Sequence, residues 1–284
     1  MKEKQSLLST HAKSFNWAGF FLSEKIYKKC SVLYDFCRTI DDIADENNKL
    51  EIKKKKFKKF KLSFKNKDYT NTIIKSIWEL LEQENISEKI LEDLFNGVES
   101  DLIDNVNIET KKDLFIYSYR VAGTVGLMMS KILKVKDSHS MKGAIDLGIA
   151  MQLTNIARDV IEDKKKNRSY ISGDLDSIKE TVLLSEIFYE SSFSAIKSIP
   201  IRCRFSIIVA KRVYRKIGMK ILKQKNIDSY EAAGKIYVTN LEKVIETFLS
   251  IIDFIKLYFI NSKKHLSKNA HIMINESINL NDRI

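Results

Sequence analysis

Apolar residues recur three and four positions apart along almost the whole chain, and no segment alternates apolar and polar residues with a period of two. That spacing gathers apolar side chains on one face of a helix and predicts an all-α protein. Phe15 to Cys30 shows it and leads into a helix from about Ser31 to Ala44, which Asn47-Asn48 ends. Lys53 to Leu62 predicts a basic amphipathic helix, and Asn71 to Gln83 another that carries Trp78. Ser87 is placed as an N-cap before the stripe Ile90, Leu91, Leu94 and Val98. One long helix is expected over Lys111 to Leu133, disturbed in pattern from Val121 to Gly126, and a second over Ser140 to Asp163. Ser177 to Ser198 follows, then a helix opened by Pro200 and running to about Gln224, and a last one over Val238 to Tyr258. Val244 to Ile260 is the strongest apolar stretch, but Glu246, Asp253 and Lys256 interrupt it. It reads as a core helix rather than a span, with a lipid-facing surface as the second reading. Residues 263–284 are expected to form a flexible polar tail.

A single proline and nine glycines in 284 residues leave little material for tight turns, which strengthens the all-α reading. The chain is long enough to bury a large core, and one domain over residues 1–284 is expected. Its formal charge of +12 is compatible with nucleic acid, an anionic membrane face or a polyanionic small substrate. Much of that charge is lysine in surface-like runs such as Lys53 to Lys56 and Lys164 to Lys166, and no zinc-finger, RNA-recognition or basic-zipper pattern accompanies it. Nucleic acid is therefore not expected as a partner. Cys30, Cys37 and Cys203 have no paired spacing, and Met1 to His11 lacks an apolar export stretch, so a cytoplasmic protein with reduced thiols is expected.

The candidate chemistry lies in two distant segments. Cys37-Arg38-Thr39-Ile40-Asp41-Asp42-Ile43-Ala44-Asp45 is one, and Gln152 to Asp163, with Asn155, Arg158 and Asp159, is the other. In each an arginine precedes an aspartate within a turn, and a further aspartate follows four residues on. Residues four apart share a helix face, with Cβ atoms about 5–6 Å apart. Two such faces turned toward each other would hold hard divalent cations and leave coordination positions for phosphate. Carboxylates crowded without counter-charge would repel, and some would protonate. Either aspartate pair alone would be ordinary for an exposed helix end; the repeat of the spacing, with Gln152 and Asn155 upstream of the second pair, counts against that.

These segments resemble the two signatures of the squalene/phytoene synthases, the head-to-head trans-isoprenyl diphosphate synthases. His11-Ala12-Lys13-Ser14-Phe15 is similar to the family's N-terminal element, and Tyr34-Asp35-Phe36-Cys37-Arg38 leads into the first aspartates as the family pattern does. Tyr117 to Gly126 resembles its central helix, and Val213-Tyr214-Arg215-Lys216-Ile217-Gly218 a segment of bacterial phytoene synthases. The resemblance runs from about residue 9 to 245. Two departures stand out: Ala12 replaces a serine common in relatives, and Lys235 is the nearest match to a family arginine that contacts diphosphate.

The resemblance implies an isoprenoid-synthase-type helical bundle around a central cavity. It implies condensation of two geranylgeranyl diphosphates to phytoene through a cyclopropyl diphosphate, the first step of carotenoid synthesis, with squalene or dehydrosqualene synthesis from farnesyl diphosphate as the alternative. Mg²⁺, or Mn²⁺ in its place, would be held by Asp41, Asp42, Asp45, Asn155, Asp159 and Asp163. Tyr117 would sit near the reacting carbons. Ser14, Tyr34, Arg38, Gln152, Asn155, Arg158, Tyr214 and Lys235 would bind substrate. NADPH is expected only of a squalene synthase. Gly123 and Gly126 are expected to make room for the prenyl chain, with close helix packing as the competing explanation. Peripheral contact with the inner membrane face is compatible with a hydrocarbon product. A silent relative that keeps the fold without turnover and a basic lipid- or nucleic-acid-binding module are the rival classes; intact aspartate pairs weigh against the former.

Overall fold

The computed structural model describes residues 13–260 and 266–284, with Lys13 and Ser14 described in backbone only. Its helices are α1 (Lys13–Gly19), α2 (Glu24–Asp45), α3 (Leu50–Lys65), α4 (Thr72–Glu84), α5 (Glu88–Glu99), α6 (Lys111–Ser118), α7 (Thr124–Ile132), α8 (Ser138–Lys165), α9 (Leu175–Phe193), α10 (Ile201–Leu222), α11 (Ile227–Ala232), α12 (Asn240–Phe259) and α13 (Lys268–Asn275). The only strands among the described residues are Val106–Asn107 and Arg168–Ser169, which pair in parallel. The all-α expectation holds.

The caps follow the sequence. Ser87 accepts from the Lys89 amide, and Asn71 accepts from those of Ile73 and Ile74. Such caps satisfy amides that the first helical turn leaves without partners. The predicted break after Phe15 to Cys30 falls earlier: α1 stops at Gly19 and α2 runs unbroken through Asp45. The long helix expected over Lys111 to Leu133 is divided by a π-helical turn, Tyr119–Gly123, at the place where the pattern is disturbed.

The centre is α8, buried along most of its length and packed against α6, the π turn, α7, α9 and α10. Its contact with the π turn and α7 is extremely close. A Cβ on Gly148 would lie 2.2 Å from the Ala122 carbonyl oxygen, and one on Gly126 would lie 2.1 Å from that of Ala144. Close packing thus accounts for Gly126, although it also lines the cavity, and Gly123 is similarly crowded by Tyr119 and Ile145. A second apolar cluster joins Phe36 of α2 to Phe57, Phe60 and Phe64 of α3 and to Phe95 of α5.

Two expectations are corrected. The end of the chain, from residue 266, is not a loose polar tail. Ala270, His271, Ile274, Ile278 and Leu280 are buried, and Arg283 donates to both carboxylate oxygens of Asp93, at 2.9 and 3.1 Å. Asp146, fully buried on α8, accepts hydrogen bonds from Ser191 and Ser267 and lies 2.6 Å from His271 Nε2. The attachment combines a short apolar stripe, Ala270, Ile274 and Ile278, with buried polar contacts, and the polar composition of the segment as a whole hid both. The second correction is α12: most of its apolar residues point outward, with Leu257 buried, so the core-helix reading gives way to an exposed apolar face.

Gly148→Ala should destabilise the fold by about 1–3 kcal/mol or more, since backbone rather than a flexible side chain blocks the added methyl. Thermal unfolding beside a solvent-facing control such as Gly173→Ala, where a Cβ meets nothing closer than 3.8 Å, checks this.

Candidate active site

Helices α2 and α8 carry the two aspartate segments, and both line one elongated cavity of about 300 Å³. Its wall is mostly apolar and includes Leu33, Val125, Met129, Leu147, Ile196 and Ile207. The polar groups of the expected site enter it as Tyr34 and Asp41 on α2, Gln152 and Asn155 on α8, and Tyr214 on α10, while hydroxyls such as Ser130, Ser140, Ser192 and Ser206 lie elsewhere along the wall. Asp45 lies one turn beyond Asp41, while Asp159 and Asp163 lie one and two turns beyond Asn155.

Ion pairs close the gap between the segments. Lys166 and Arg168, immediately after α8, donate to the two carboxylate oxygens of Asp45 at 2.8 and 2.7 Å. Removal from water raises the Asp45 pKa, but these two cations outweigh it and hold the carboxyl below the ordinary aspartate value. The lysine run at Lys164 to Lys166 is therefore more than a solvated face. Asp101, in the loop after α5, accepts from Tyr117 at 2.8 Å and from Tyr170 at 2.7 Å, with the two rings stacked 4.7 Å apart. Its charge is felt by Asp41 and by Asp163, which places it between the two aspartate ridges.

Burial and crowding shift two of these acids. Asp41 is open to the cavity yet walled by protein, and desolvation followed by the charge of Asp45 raises its pKa to about 7. Desolvation and then Asp159 do the same to Asp163, also to about 7. One carboxyl on each ridge is thus desolvated and crowded by a second carboxylate more than the nearby cations compensate.

The remaining expected residues divide clearly. Arg158 grips the carboxylate of its neighbour Asp159 through Nε and Nη2, at 2.7 and 2.5 Å. Lys235 reaches the same group, 3.3 Å from Asp159 and 2.6 Å from Glu162. Arg38 pairs with Asp42 at 2.6 Å, so Asp42 sits on the outer side of the ridge and not in the cavity wall. Tyr117 is a buried tyrosine with a satisfied hydroxyl, attached to the acid cluster through Asp101 rather than lining the cavity. Tyr214 is half-buried, with its ring 4.9 Å from Phe15. The Ser14 side chain and the segment His11-Ala12 lie outside the described residues. Sequence reading missed Asp101, Arg168 and Tyr170. Asp101 follows a helix end in an unremarkable loop, so only the fold could find it; Arg168 and Tyr170 lie just past the second segment.

Among the described residues no three acids, histidines or cysteines converge on one point. Each ridge offers one or two carboxylates, which suits Mg²⁺ better than an ion that demands an all-protein cage, because Mg²⁺ keeps water and takes phosphate oxygens as ligands. Asn155 Oδ1 and Arg38 Nε are buried without hydrogen-bond partners, an acceptor and a donor left over at this mouth. The residues fit a divalent cation with an anionic ligand.

A family model described as squalene/phytoene synthase matches residues 8–177. A 15-cis-phytoene synthase of Paracoccus sp. is 40% identical over 149 residues, covering 46% of this chain and 49% of that enzyme. One from Enterobacter agglomerans is 28% identical over 74% of this chain and 82% of its own length. A ligand-bound dehydrosqualene synthase structure superposes with a TM-score of 0.73 at 25% identity, covering 88% of this chain and 94% of that one.

The acid ridges also predict a pH dependence for the metal-free protein. Asp41 and Asp163 titrate near 7 when folded against an ordinary 3.8, so the unfolded chain gives up those protons first. Their contribution to stability is therefore present below the ordinary value and is lost as pH rises toward 7. Urea unfolding at about pH 5 and about pH 8 should show a smaller loss for Asp41→Asn than for the unaltered chain, and Mg²⁺ should stabilise more at the higher pH.

With a family model over more than half its length and a matching helical architecture, the chain belongs to the squalene/phytoene synthase family of prenyltransferases.

Proposed function

We propose that this protein, acting as one domain, joins two geranylgeranyl diphosphates head to head to give phytoene, through a cyclopropyl diphosphate. The relatives with the same chain coverage are phytoene synthases, and they favour this over a farnesyl-using squalene or dehydrosqualene synthase. The observation that carries the reading is the meeting of two carboxylate ridges, linked by Asp45 to Lys166 and Arg168, beside one long apolar cavity with Asp41 in its wall.

Asp41, Asp45, Asp159 and Asp163 would hold Mg²⁺, with Asn155 Oδ1 as an additional oxygen and Asp42 supporting the first ridge through Arg38. When bound, the cation supplies positive charge to the departing diphosphate and so eases ionisation of the allylic C–O bond. Arg158, Arg168 and Lys235 add fixed cations beside that position; each now rests on a carboxylate that a metal would engage, so each is free to turn to phosphate. Tyr34, Gln152, Tyr214 and Ser14 would orient the head groups. The apolar wall holds the prenyl tails and keeps water from the allylic cation, which water would otherwise capture. Tyr117 stacks on Tyr170 with its hydroxyl fixed by Asp101, which suits a residue that keeps an electron-rich ring and a phenol at a set place beside the cluster. No nucleotide reductant is needed for phytoene.

Purified protein with Mg²⁺ and the C20 diphosphate should yield a C40 hydrocarbon on product chromatography; a C30 product from the C15 substrate alone would move the activity to the alternative. Asp41→Ala and Asp159→Ala should each reduce turnover by about three orders of magnitude or more while far-UV circular dichroism stays unchanged. Normal turnover in either variant rules out the metal-holding role.

A further inference from the structure

Helix α12 is built inside out. Its inward positions are largely polar: Lys243, Glu246 and Ser250 are buried, with Leu257 the buried apolar residue near its end, and Arg212 of α10 donates to Glu246 at 2.9 Å and to Asp253 at 2.6 Å. Its outward positions are apolar. Leu241, Phe248 and Phe259 are 70%, 67% and 79% exposed, with Ile245, Ile252 and Ile255 between them on the same face. At 100° per residue, the exposed apolar positions from Tyr258 round to Ile245 cover about 140° of the circumference, wider than a two-helix seam. Water-facing helices carry the opposite arrangement, so this one is shaped for an apolar surrounding.

The patch extends beyond α12. Tyr258 and Phe254 contact edge-on at 5.7 Å between ring centres, Phe254 meets Phe205 of α10 at 6.2 Å, and Phe205 meets Phe21, at the end of α1, at 5.0 Å. Phe20, beside it, is 76% exposed. The cavity lies directly behind: α1 and α10, against which α12 packs, contribute Phe15, Ala18, Ile207 and Ala210 to its wall.

Charge beside this face is mainly basic, although Lys256 is itself paired with Asp253 at 3.8 Å and Glu190 of α9 is exposed nearby. Every acid on α12 is already paired, Glu242 with Lys220, Glu246 with Arg212 and Lys216, and Asp253 with Arg212. Around the C-terminal end stand exposed Lys256, Lys197, which reaches the carbonyls of Tyr258 and Ile260, and Arg202 beside exposed Ile201. A broad apolar face bordered by cations matches a helix lying in an anionic lipid surface. Among the described residues no helix is long and apolar enough to cross a membrane.

We propose that α12, with Phe20 and Phe21, is the face by which this protein lies on an anionic bilayer, holding the apolar cavity next to the lipid that stores its substrate and product. The last clause rests on the prenyltransferase reading; the docking face itself does not. The test uses the full chain and a Phe248→Glu/Ile252→Glu double variant, both sites being exposed and outside the cavity wall. Each is sedimented with vesicles of pure phosphatidylcholine and of equal parts phosphatidylcholine and phosphatidylglycerol, and turnover is measured in detergent.

The expected result is binding to the mixed vesicles that the variant weakens about tenfold or more, with the melting temperature and detergent turnover unchanged. Pure phosphatidylcholine should bind more weakly than the mixture. Failure of the unaltered protein to bind, or equal binding by the variant, overturns the proposal. So does a dimer that the variant converts to a monomer without any vesicle binding, which would make this face a contact between copies. Vesicle binding that depends on Phe248 and Ile252 without turnover of any prenyl diphosphate would leave the docking face standing and remove the proposed enzymatic function instead.

Discussion

Holding the acidic ends of α2 and α8 near each other, with Asp41 at the wall of an apolar cavity, is the constraint on which the rest of the structure turns. Like charges at such separations repel strongly where protein has replaced water, and the fold answers with cations from outside the aspartate motifs. Lys166 and Arg168 tie Asp45 of α2 to the segment leaving α8, and Arg158 with Lys235 covers Asp159. Asp41 and Asp163 are desolvated and each sits beside another carboxylate, and the cations near them do not offset this, so both hold their protons to higher pH than an ordinary aspartate. Stability alone would not select this arrangement. It becomes reasonable once a divalent cation and a diphosphate complete the charge balance.

Holding the ridges in register requires a rigid partner, and α8 supplies it. Its glycines let the π turn and α7 approach to backbone contact, so the helix that carries Gln152, Asn155 and Asp159 cannot slide along its neighbours without a steric clash. The π turn begins two residues after Tyr117, the tyrosine tied to Asp101, and itself supplies the cavity-lining Val121 and Ala122, with Val125 just beyond. A local widening of the helix is a natural way to re-aim two faces of one element toward different tasks. The chain end adds to this rigidity by a polar route, through Asp146 and Asp93, both buried and both satisfied by residues more than a hundred positions away.

The protein has two apolar surfaces, one inside and one outside. The cavity wall is concave and enclosed by α1, α2, α7, α8 and α10, whereas the outer face of α12 is convex and open. Helices α1 and α10 separate them. For a molecule whose substrates and product are long hydrocarbons, this proximity gives apolar material a short path between the protein and its surroundings. The ionic contacts between α10 and α12 hold the outer helix in place without spending its apolar face on the core.

Helical periodicity in the sequence determined the class of fold and most helix positions, because 3.6-residue spacing is a local property that survives without knowledge of neighbours. The aspartate pairs were legible for the same reason: four residues on one helix fix which side chains stand together. Which way a face points was not legible. Periodicity marks Val244 to Ile260 as amphipathic but says nothing of which side meets water, so a core helix was expected where an exposed one stands. Asp101, Arg168 and Tyr170 come from separate segments, and only chain packing brings them to Asp41, Asp45 and Tyr117. The sequence by itself determined the helices and the chemical character of each ridge; the tertiary structure decided their mutual approach, the docking of the chain end and the outward turn of α12, because those depend on long-range burial and charge balance that no local spacing encodes.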